Sequence, residues 1–425
     1  MLSQFTGNHR VKARDDGTGH FYKEFVPKPP ALESVPRRYG RYGLPFSIVE
    51  KELRKLSSPD LIFVTSGMTY WYPGVMEMVS LLKRVFKGIP VILGGIYATL
   101  CPEHAAEFSG ADKIVVGEGE VEALSIADEV TGNHSDSSRY QNLEDFPSPL
   151  YDLYPRLTSA ALLTSRGCPY RCPFCASHLL SKKYRRRNPS SVVDEIEYLT
   201  RKKGVVEFAF YDDALLYKKG EHFVPFLYEL IERKLNVHFH TPNGIQPREV
   251  DQKTAKLMQK AGFRTIRLSY ETSDKNRQKS MGFKVKDEDL INAVNNLIEA
   301  GFEKKEIGSY ILMGLPGQSI EEVIESMIFV LKLGIKVSLA SFSPIPGTQS
   351  WREAVERSLI NESSDLLLTN NSVFSIITNT IPLKIFWGIG SLAAEANRII
   401  NRGGLPLEDY VFRELMKTIN GGPID

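Results

Sequence analysis

Between residues 160 and 343 the chain alternates six times between a short β-rich run and an amphipathic helix, which restricts the fold more than any other feature. The expected strands are 160–164, 205–211, 236–241, 264–270, 306–313 and 336–343, with helices near 189–203, 220–233, 251–261, 287–300 and 319–333. The first helix shows the pattern plainly: Val192, Val193, Ile196 and Leu199 fall on one face, behind a Pro189-Ser190 start. Such alternation implies parallel strand pairing with helices packed on the sheet. Six steps stop two short of a closed eight-fold barrel. An open, partial (β/α)6 barrel over 156–350 is therefore expected, with reactive residues at the carboxyl ends of its strands.

Residues 58–130 repeat the alternation on a smaller scale. Strands are expected at 61–65, 90–93 and 113–116, and helices at 75–86, at 101–109 and after Gly119, giving a small parallel α/β domain. Residues 131–155 are polar and carry Pro147, Pro149 and Pro155, as a linker would. Residues 1–57 read as an extended lead with one short helix near 47–56, and 351–425 as helices packed on the outside. The apolar stretch from Val373 to Ala394 contains Asn379, Pro382 and Lys384, which suits a buried, broken helix better than a membrane span. The N-terminus has no apolar core of a signal peptide. Lys plus Arg number 53 and Asp plus Glu 51. That balance provides no field for a nucleic acid or an anionic membrane, so neither is an expected partner.

Directly after the first barrel strand comes Ser165-Arg166-Gly167-Cys168-Pro169-Tyr170-Arg171-Cys172-Pro173-Phe174-Cys175. The three thiols are too local for a disulfide framework and imply a reduced compartment. Three thiolates in one loop can bind three irons of a cubane, whereas such clusters usually take four cysteines. Cys101 is the only other cysteine, and as a residue of the preceding domain it is most simply a small buried helix side chain. One iron is then left for an external ligand, and an open position is the mark of a catalytic metal site. The same spacing also fits a structural zinc site with His178 as fourth ligand, or three unrelated thiols.

The Cys-x3-Cys-x2-Cys pattern, with Phe174 just before the last cysteine, resembles the signature of the radical S-adenosylmethionine (SAM) superfamily. The strand ends agree in order: Tyr211-Asp212-Asp213, Thr241-Pro242-Asn243-Gly244, Ser269-Tyr270-Glu271, Met313-Gly314-Leu315-Pro316-Gly317 and Ser343-Pro344-Ile345-Pro346-Gly347-Thr348. The series is similar to the branch holding the methylthiotransferases and the cobalamin-domain radical SAM enzymes, over about residues 160–350. The resemblance implies a 4Fe–4S cluster on Cys168, Cys172 and Cys175. SAM would chelate the open iron, and its reductive cleavage would give a radical that takes hydrogen from a small-molecule substrate. It also implies a dry cavity, a low-potential cluster, a cytoplasmic setting and an electron donor such as flavodoxin or ferredoxin.

By the same resemblance the Phe174 backbone contacts adenine, and Asp212 and Asp213 stand where residues reach the SAM amino group. The Gly-Gly-Glu form found there in many relatives is absent, and a helix cap or solvated turn explains the pair equally well. Glu271 ends an apolar strand and needs a polar partner. A SAM amino or hydroxyl group would serve, as would Arg264 or Arg267. Asn243 lines the pocket or simply belongs to its turn. Gly314 and Gly317 would let backbone approach the adenosine, or are turn glycines. The run Lys182 to Arg187 holds an anionic group of the substrate or is a solvated face.

Residues 58–130 resemble the cobalamin-binding domain that precedes such barrels, on Ser66 to Gly74, Gly94 to Thr99 and Gly117-Glu118-Gly119-Glu120. The Gly94-Gly95 pair after a strand suits close approach to a bulky ligand. No Asp-x-His-x-x-Gly motif offers cobalt an axial histidine, and the domain is expected to be truncated at its N-terminus. Cobalamin is thus a candidate cofactor, with a vestigial domain as the alternative. Trp71 and Tyr72 face the ligand or plug the missing half, core aromatics being the commoner case. The function expected is radical chemistry on a small molecule, extending to cobalamin-dependent methyl transfer. One rival is methylthiotransferase-like RNA modification, which lacks a basic appended domain and a second cysteine cluster here. The other is a non-catalytic iron–sulfur protein, which does not explain the open iron.

Overall fold

The computed structural model describes residues 22–154, 157–282 and 284–406, with Arg413, Glu414 and Lys417. The first part of the expected lead, Pro155 of the expected linker and most of 407–425 lie outside the described residues. Lys23–Phe25 (β1) and Gly40–Tyr42 (β2) pair antiparallel, a ribbon within what the sequence suggested was extended lead. Strands of three residues carry too little alternation to detect. The helix Phe46–Leu53 follows.

Ile62–Ser66 (β3), Val91–Gly94 (β4) and Lys113–Ile114 (β5) form a parallel sheet in that order. Helices Tyr72–Val85, Pro102–Phe108 and Glu120–Thr131 agree with expectation, while Gly95–Leu100 is an additional helix. Its sequence is poor in helix formers, so tertiary packing must support it. Tyr97 and Ala98 are fully buried. Gly95 makes the turn out of β4 at φ +88, where a Cβ would lie 2.4 Å from Thr65 Oγ1.

The larger sheet contains Ser159–Leu162 (β6), and a separate two-stranded ribbon pairs Ser165–Arg166 (β7) with Arg185–Arg186 (β8). The sheet continues through Glu207–Phe210 (β9), His238–His240 (β10), Phe263–Glu271 (β11), Ile307–Met313 (β12) and Lys336–Ser341 (β13). Its order is β13-β12-β11-β10-β9-β6, all parallel, with the expected helices Pro189–Lys203, Phe223–Glu232, Gln252–Lys260, Asp287–Glu299 and Ile320–Lys332 between strands. This is the open six-stranded α/β barrel read from the alternation.

Its core is apolar and continuous, with Phe208, Phe210, Phe223, Phe226, Phe239 and Phe263 interlocked. Phe210 and Phe263 stack with centroids 5.7 Å apart, a geometry that adds to area burial. The segment 131–154 is anchored rather than loose: the Tyr151 hydroxyl donates to Glu195, and its ring packs on the barrel core. The apolar stretch after Val373 breaks as expected, into Phe374–Ile377 and Leu383–Asn401. The second helix covers the free edge of β13, where the Asn397 side chain accepts from Val337 N at 2.9 Å and donates to Val337 O at 2.7 Å. Among the described residues no helix is long and apolar enough to cross a membrane.

Candidate functional site

The cysteine loop leaves β6 and is closed at its base by the β7–β8 ribbon. Gly167 has φ +83, and a Cβ there would meet the Lys183 carbonyl at 2.6 Å, so glycine is required where the loop departs. Cys175 N donates to Cys172 O at 3.0 Å, forming a turn between the last two cysteines, and Ser350 N donates to Pro173 O at 2.9 Å. Cys172 is buried, and Cys168 and Cys175 are half-buried. Burial pushes the Cys172 thiol up to about 12 and raises that of Cys168, while Lys284 acts in the opposite direction on both. Metal binding needs thiolates, and a nearby cation is the natural compensation for them.

Phe174, within this loop, lines a small pocket with Cys172, Tyr270, Glu271, Gln278 and Lys284. Glu271 ends β11 at a register shift and holds φ +76, a strained conformation for a residue with a side chain. Burial raises its carboxyl, opposed by Lys284, whose Nζ is 3.8 Å from Oε1. Arg264 and Arg267 are not its partners. Burial works to lower the Lys284 ammonium, but Glu271 and the three cysteines outweigh it, so Lys284 stays charged. Gln278 is buried too. Its Nε2 donates to Thr272 O and to Asp287 Oδ1, each at 2.8 Å, whereas its Oε1 has no hydrogen-bond partner among the described residues. A buried acceptor on a pocket wall is costly to leave unpaired, so this one fits a donor from a ligand. Sequence reading missed both Lys284 and Gln278, since only the fold brings them to the cysteines.

The two aspartates after β9 part company. Asp212 is buried and accepts from Thr164 N at 3.1 Å, Thr164 Oγ1 at 2.7 Å and Ser165 Oγ at 2.6 Å. Its oxygens are thus committed to the root of the cysteine loop, and it is not on the cavity wall. Asp213 is exposed, and its charge acts to raise the Cys168 thiol. Asn243 is exposed and donates to Tyr211 O at 2.7 Å, tying two strand ends together. Gly314 has φ +92, and a Cβ there would lie 2.5 Å from Ser375 Oγ, so its close approach is to the chain's own C-terminal region. Gly317, at φ +68, lies against the Arg357 guanidinium. In the basic run, Arg185, Arg186 and Arg187 pair with Glu118, Glu221 and Glu195. His178 is half-buried in the helix Ser177–Leu180.

At the carboxyl ends of β3 to β5, Met68, Trp71 and Val116 are 41%, 56% and 57% exposed. The apolar surface lies where open parallel sheets take their ligands. Trp71 is therefore no core plug, whereas Tyr72 is half-buried and donates to both Asp365 oxygens, at 3.0 and 2.9 Å. Thr99 Oγ1 accepts from Gly117 N at 3.0 Å, joining the two glycine turns of this face. The next residue, Glu118, crosses to the barrel. It accepts from Ser181 Oγ at 2.6 Å and pairs with Arg185 and with Arg166, two residues before Cys168. Cys101 is buried in this domain's core, where burial pushes its thiol up to about 12.

The donor set fits an iron–sulfur cluster. Among the described residues no three His, Cys, Asp or Glu side chains gather closely enough to hold a single ion. A cubane asks instead for one soft thiolate at each ligated iron, and this loop offers three beside a buried cation. The exposed apolar face above β3 to β5, with its glycine turns, suits a broad, flat macrocycle.

Comparison with known proteins agrees with both halves. The Radical SAM superfamily matches residues 162–330 and the B12 binding domain matches residues 46–126. The second match begins upstream of residue 58 and takes in the helix Phe46–Leu53, so the expected truncation is corrected: the domain is present. An uncharacterized methyltransferase of Pyrococcus horikoshii is 27% identical, over 81% of this chain and 78% of its own length. The cytidylyl-2-hydroxyethylphosphonate methyltransferase of Streptomyces wedmorensis is 23% identical, over 85% and 78%. The radical SAM methyltransferase TsrM of Kitasatospora setae, solved with cobalamin and a [4Fe–4S] cluster, has the same fold with a TM-score of 0.61, at 19% identity over 73% of this chain and 69% of that one. With a cysteine loop at the head of an open barrel and a B12 binding domain in front of it, this chain belongs to the radical SAM superfamily, in the group whose barrel follows a cobalamin-binding domain.

Proposed function

We propose that the chain is a cobalamin-dependent radical SAM methyltransferase acting on a small molecule. The observation that carries this reading is Glu118, one carboxylate held between the glycine turn of the B12 binding domain and the base of the cysteine loop. Two cofactor sites that share a side chain are built to work on one substrate. Cys168, Cys172 and Cys175 would each hold one iron of the cluster and leave the fourth for SAM. When bound, the cluster supplies the electron for reductive cleavage of SAM, and cobalamin supplies a carrier for the methyl group.

The chain's own residues do the rest. Phe174 and Met281 wall the cavity with apolar surface and keep water from it. Gln278 Oε1 would accept from an amino or hydroxyl group of SAM, and Glu271, on the same pocket, offers a second acceptor. Lys284 balances the negative charge of the thiolates and of a bound carboxylate. Asp213 places a carboxylate near Cys168, while Asp212 and Asn243 fix the strand ends and Gly314 admits the chain's C-terminal region. The electron is delivered by a flavodoxin or ferredoxin in the cytoplasm.

The test is anaerobic reconstitution. About four irons per chain, SAM consumption on reduction and loss of both in Cys172→Ala are expected. A protein that takes up a single zinc and no sulfide would refute the cluster. Titration with hydroxocobalamin should shift its absorbance bands at micromolar protein, a shift diminished by Trp71→Glu. The absence of any shift would remove cobalamin from the reading.

A further inference from the structure

Gln278 is 3% exposed and lines the pocket with Cys172, Glu271 and Lys284. It belongs to the short helix Lys275–Ser280, and other side chains set the place of that helix. Asp274 Oδ1 accepts from Arg277 N at 2.7 Å, and the Arg277 guanidinium holds both Glu322 oxygens, at 2.6 and 3.0 Å. The backbone of Gln278 is thus anchored without help from its own side chain. What is left to decide is which end of the carboxamide is offered to the pocket.

A carboxamide keeps nearly the same shape when its oxygen and nitrogen change places, so its partners must choose between the two ends. Here both partners are acceptors. Gln278 Nε2 donates to Thr272 O and to Asp287 Oδ1, each at 2.8 Å. The same Asp287 oxygen accepts from the Tyr270 hydroxyl at 2.6 Å, and Oδ2 pairs with Lys275 Nζ at 2.6 Å. Asp287 also opens the helix Asp287–Glu299, whose dipole favours its negative charge. Exchanging the two ends of the amide would set Oε1 against a carbonyl and a carboxylate, oxygen against oxygen. Oε1 is therefore the end offered to the pocket, and it can only accept.

We propose that Asp287 is a positioning residue for ligand binding: by holding Gln278 Nε2 it turns Oε1 to the pocket and makes this wall select a ligand group that donates. This rests on the reading of the pocket as the SAM site. Thr272 O belongs to the backbone and persists in every variant, so Asp287 is the side chain that decides the orientation.

The experiment is calorimetric titration of SAM into the reconstituted full chain, with iron content and melting temperature measured in each variant. Gln278→Met and Asp287→Ala should each weaken binding by about tenfold, the worth of one hydrogen bond to a charged group. The double variant should be no weaker than Gln278→Met alone, because Asp287 acts through that side chain. Asp287→Asn, whose Oδ1 can still accept from Nε2, should bind close to wild type, as should Lys275→Met, which leaves the bond to Gln278 in place. Asp287→Ser, one bond shorter, repeats the test if Asp287→Ala does not fold. Wild-type affinity in Asp287→Ala or Asp287→Ser would overturn the proposal and leave the SAM site standing. Losses that add in the double variant would also overturn it, since Asp287 would then act by another route. A wild-type chain with full iron that takes up no SAM would overturn the reading of the pocket as well.

Discussion

The ends of β9 and β11 each carry a buried carboxylate, Asp212 and Glu271, and burial raises both. Their surroundings differ. Asp212 sits among three short side-chain and backbone donors from Thr164 and Ser165. Glu271 has strained backbone, a cavity in front of it and an ammonium at 3.8 Å, a separation too long for a hydrogen bond. Groups whose hydrogen bonds are complete hold a structure together. A buried charge with capacity to spare, kept in an unfavourable conformation, marks a place where a ligand is meant to complete the set.

Three measurements can break or sharpen this contrast. Asp212→Ala should have the largest effect on stability, roughly 3 kcal/mol, because it leaves buried donors on Thr164 and Ser165 unpaired. Urea denaturation of the cluster-free protein would show it. Replacing the other pair together, as Glu271→Gln with Lys284→Met, should change stability by no more than about 1 kcal/mol, since removing both partners leaves no lone buried charge. The same double variant should bind SAM at least about tenfold more weakly in calorimetry of the reconstituted enzyme. A stability loss equal to that of Asp212→Ala would erase the distinction between the two sites.

The smallest effect concerns pH. His222 Nε2 lies 3.0 Å from Thr164 Oγ1, on the Asp212 side, and burial lowers its imidazole to about 4. The unfolded chain therefore binds more protons than the folded one between roughly pH 6.5 and 4. The stability contributed by neutral His222 is fully present above that window and is lost as pH falls through it. His222→Gln should flatten this part of the stability profile. An unchanged acid slope would take His222 out of the network.

Most of the barrel was legible because its strands are β-rich and its helices periodic, as with Val192, Val193, Ile196 and Leu199. The cysteine loop was legible through its spacing. What escaped reading depended on contacts between distant segments. Nothing in the run Gly282 to Asp287 marks Lys284 as the cation beside three thiols more than a hundred residues earlier. Asp212 and Asp213 are adjacent and chemically identical, and only the face on which each emerges from β9 separates a loop anchor from a neighbour of the cluster. The helix Gly95–Leu100 carries residues more usual in strands, and tertiary contacts around Tyr97 decide its form.

Asn397 has a consequence of its own. By answering both backbone groups of Val337, its side-chain amide occupies the place that another strand would take beside β13. An open barrel has two raw margins, and a raw margin invites a neighbouring molecule to add itself. Here one amide on a helix gives the chain its own stopper. Loss of the helix Leu383–Asn401 should show first as clumping of otherwise folded molecules, before any change at the cysteines.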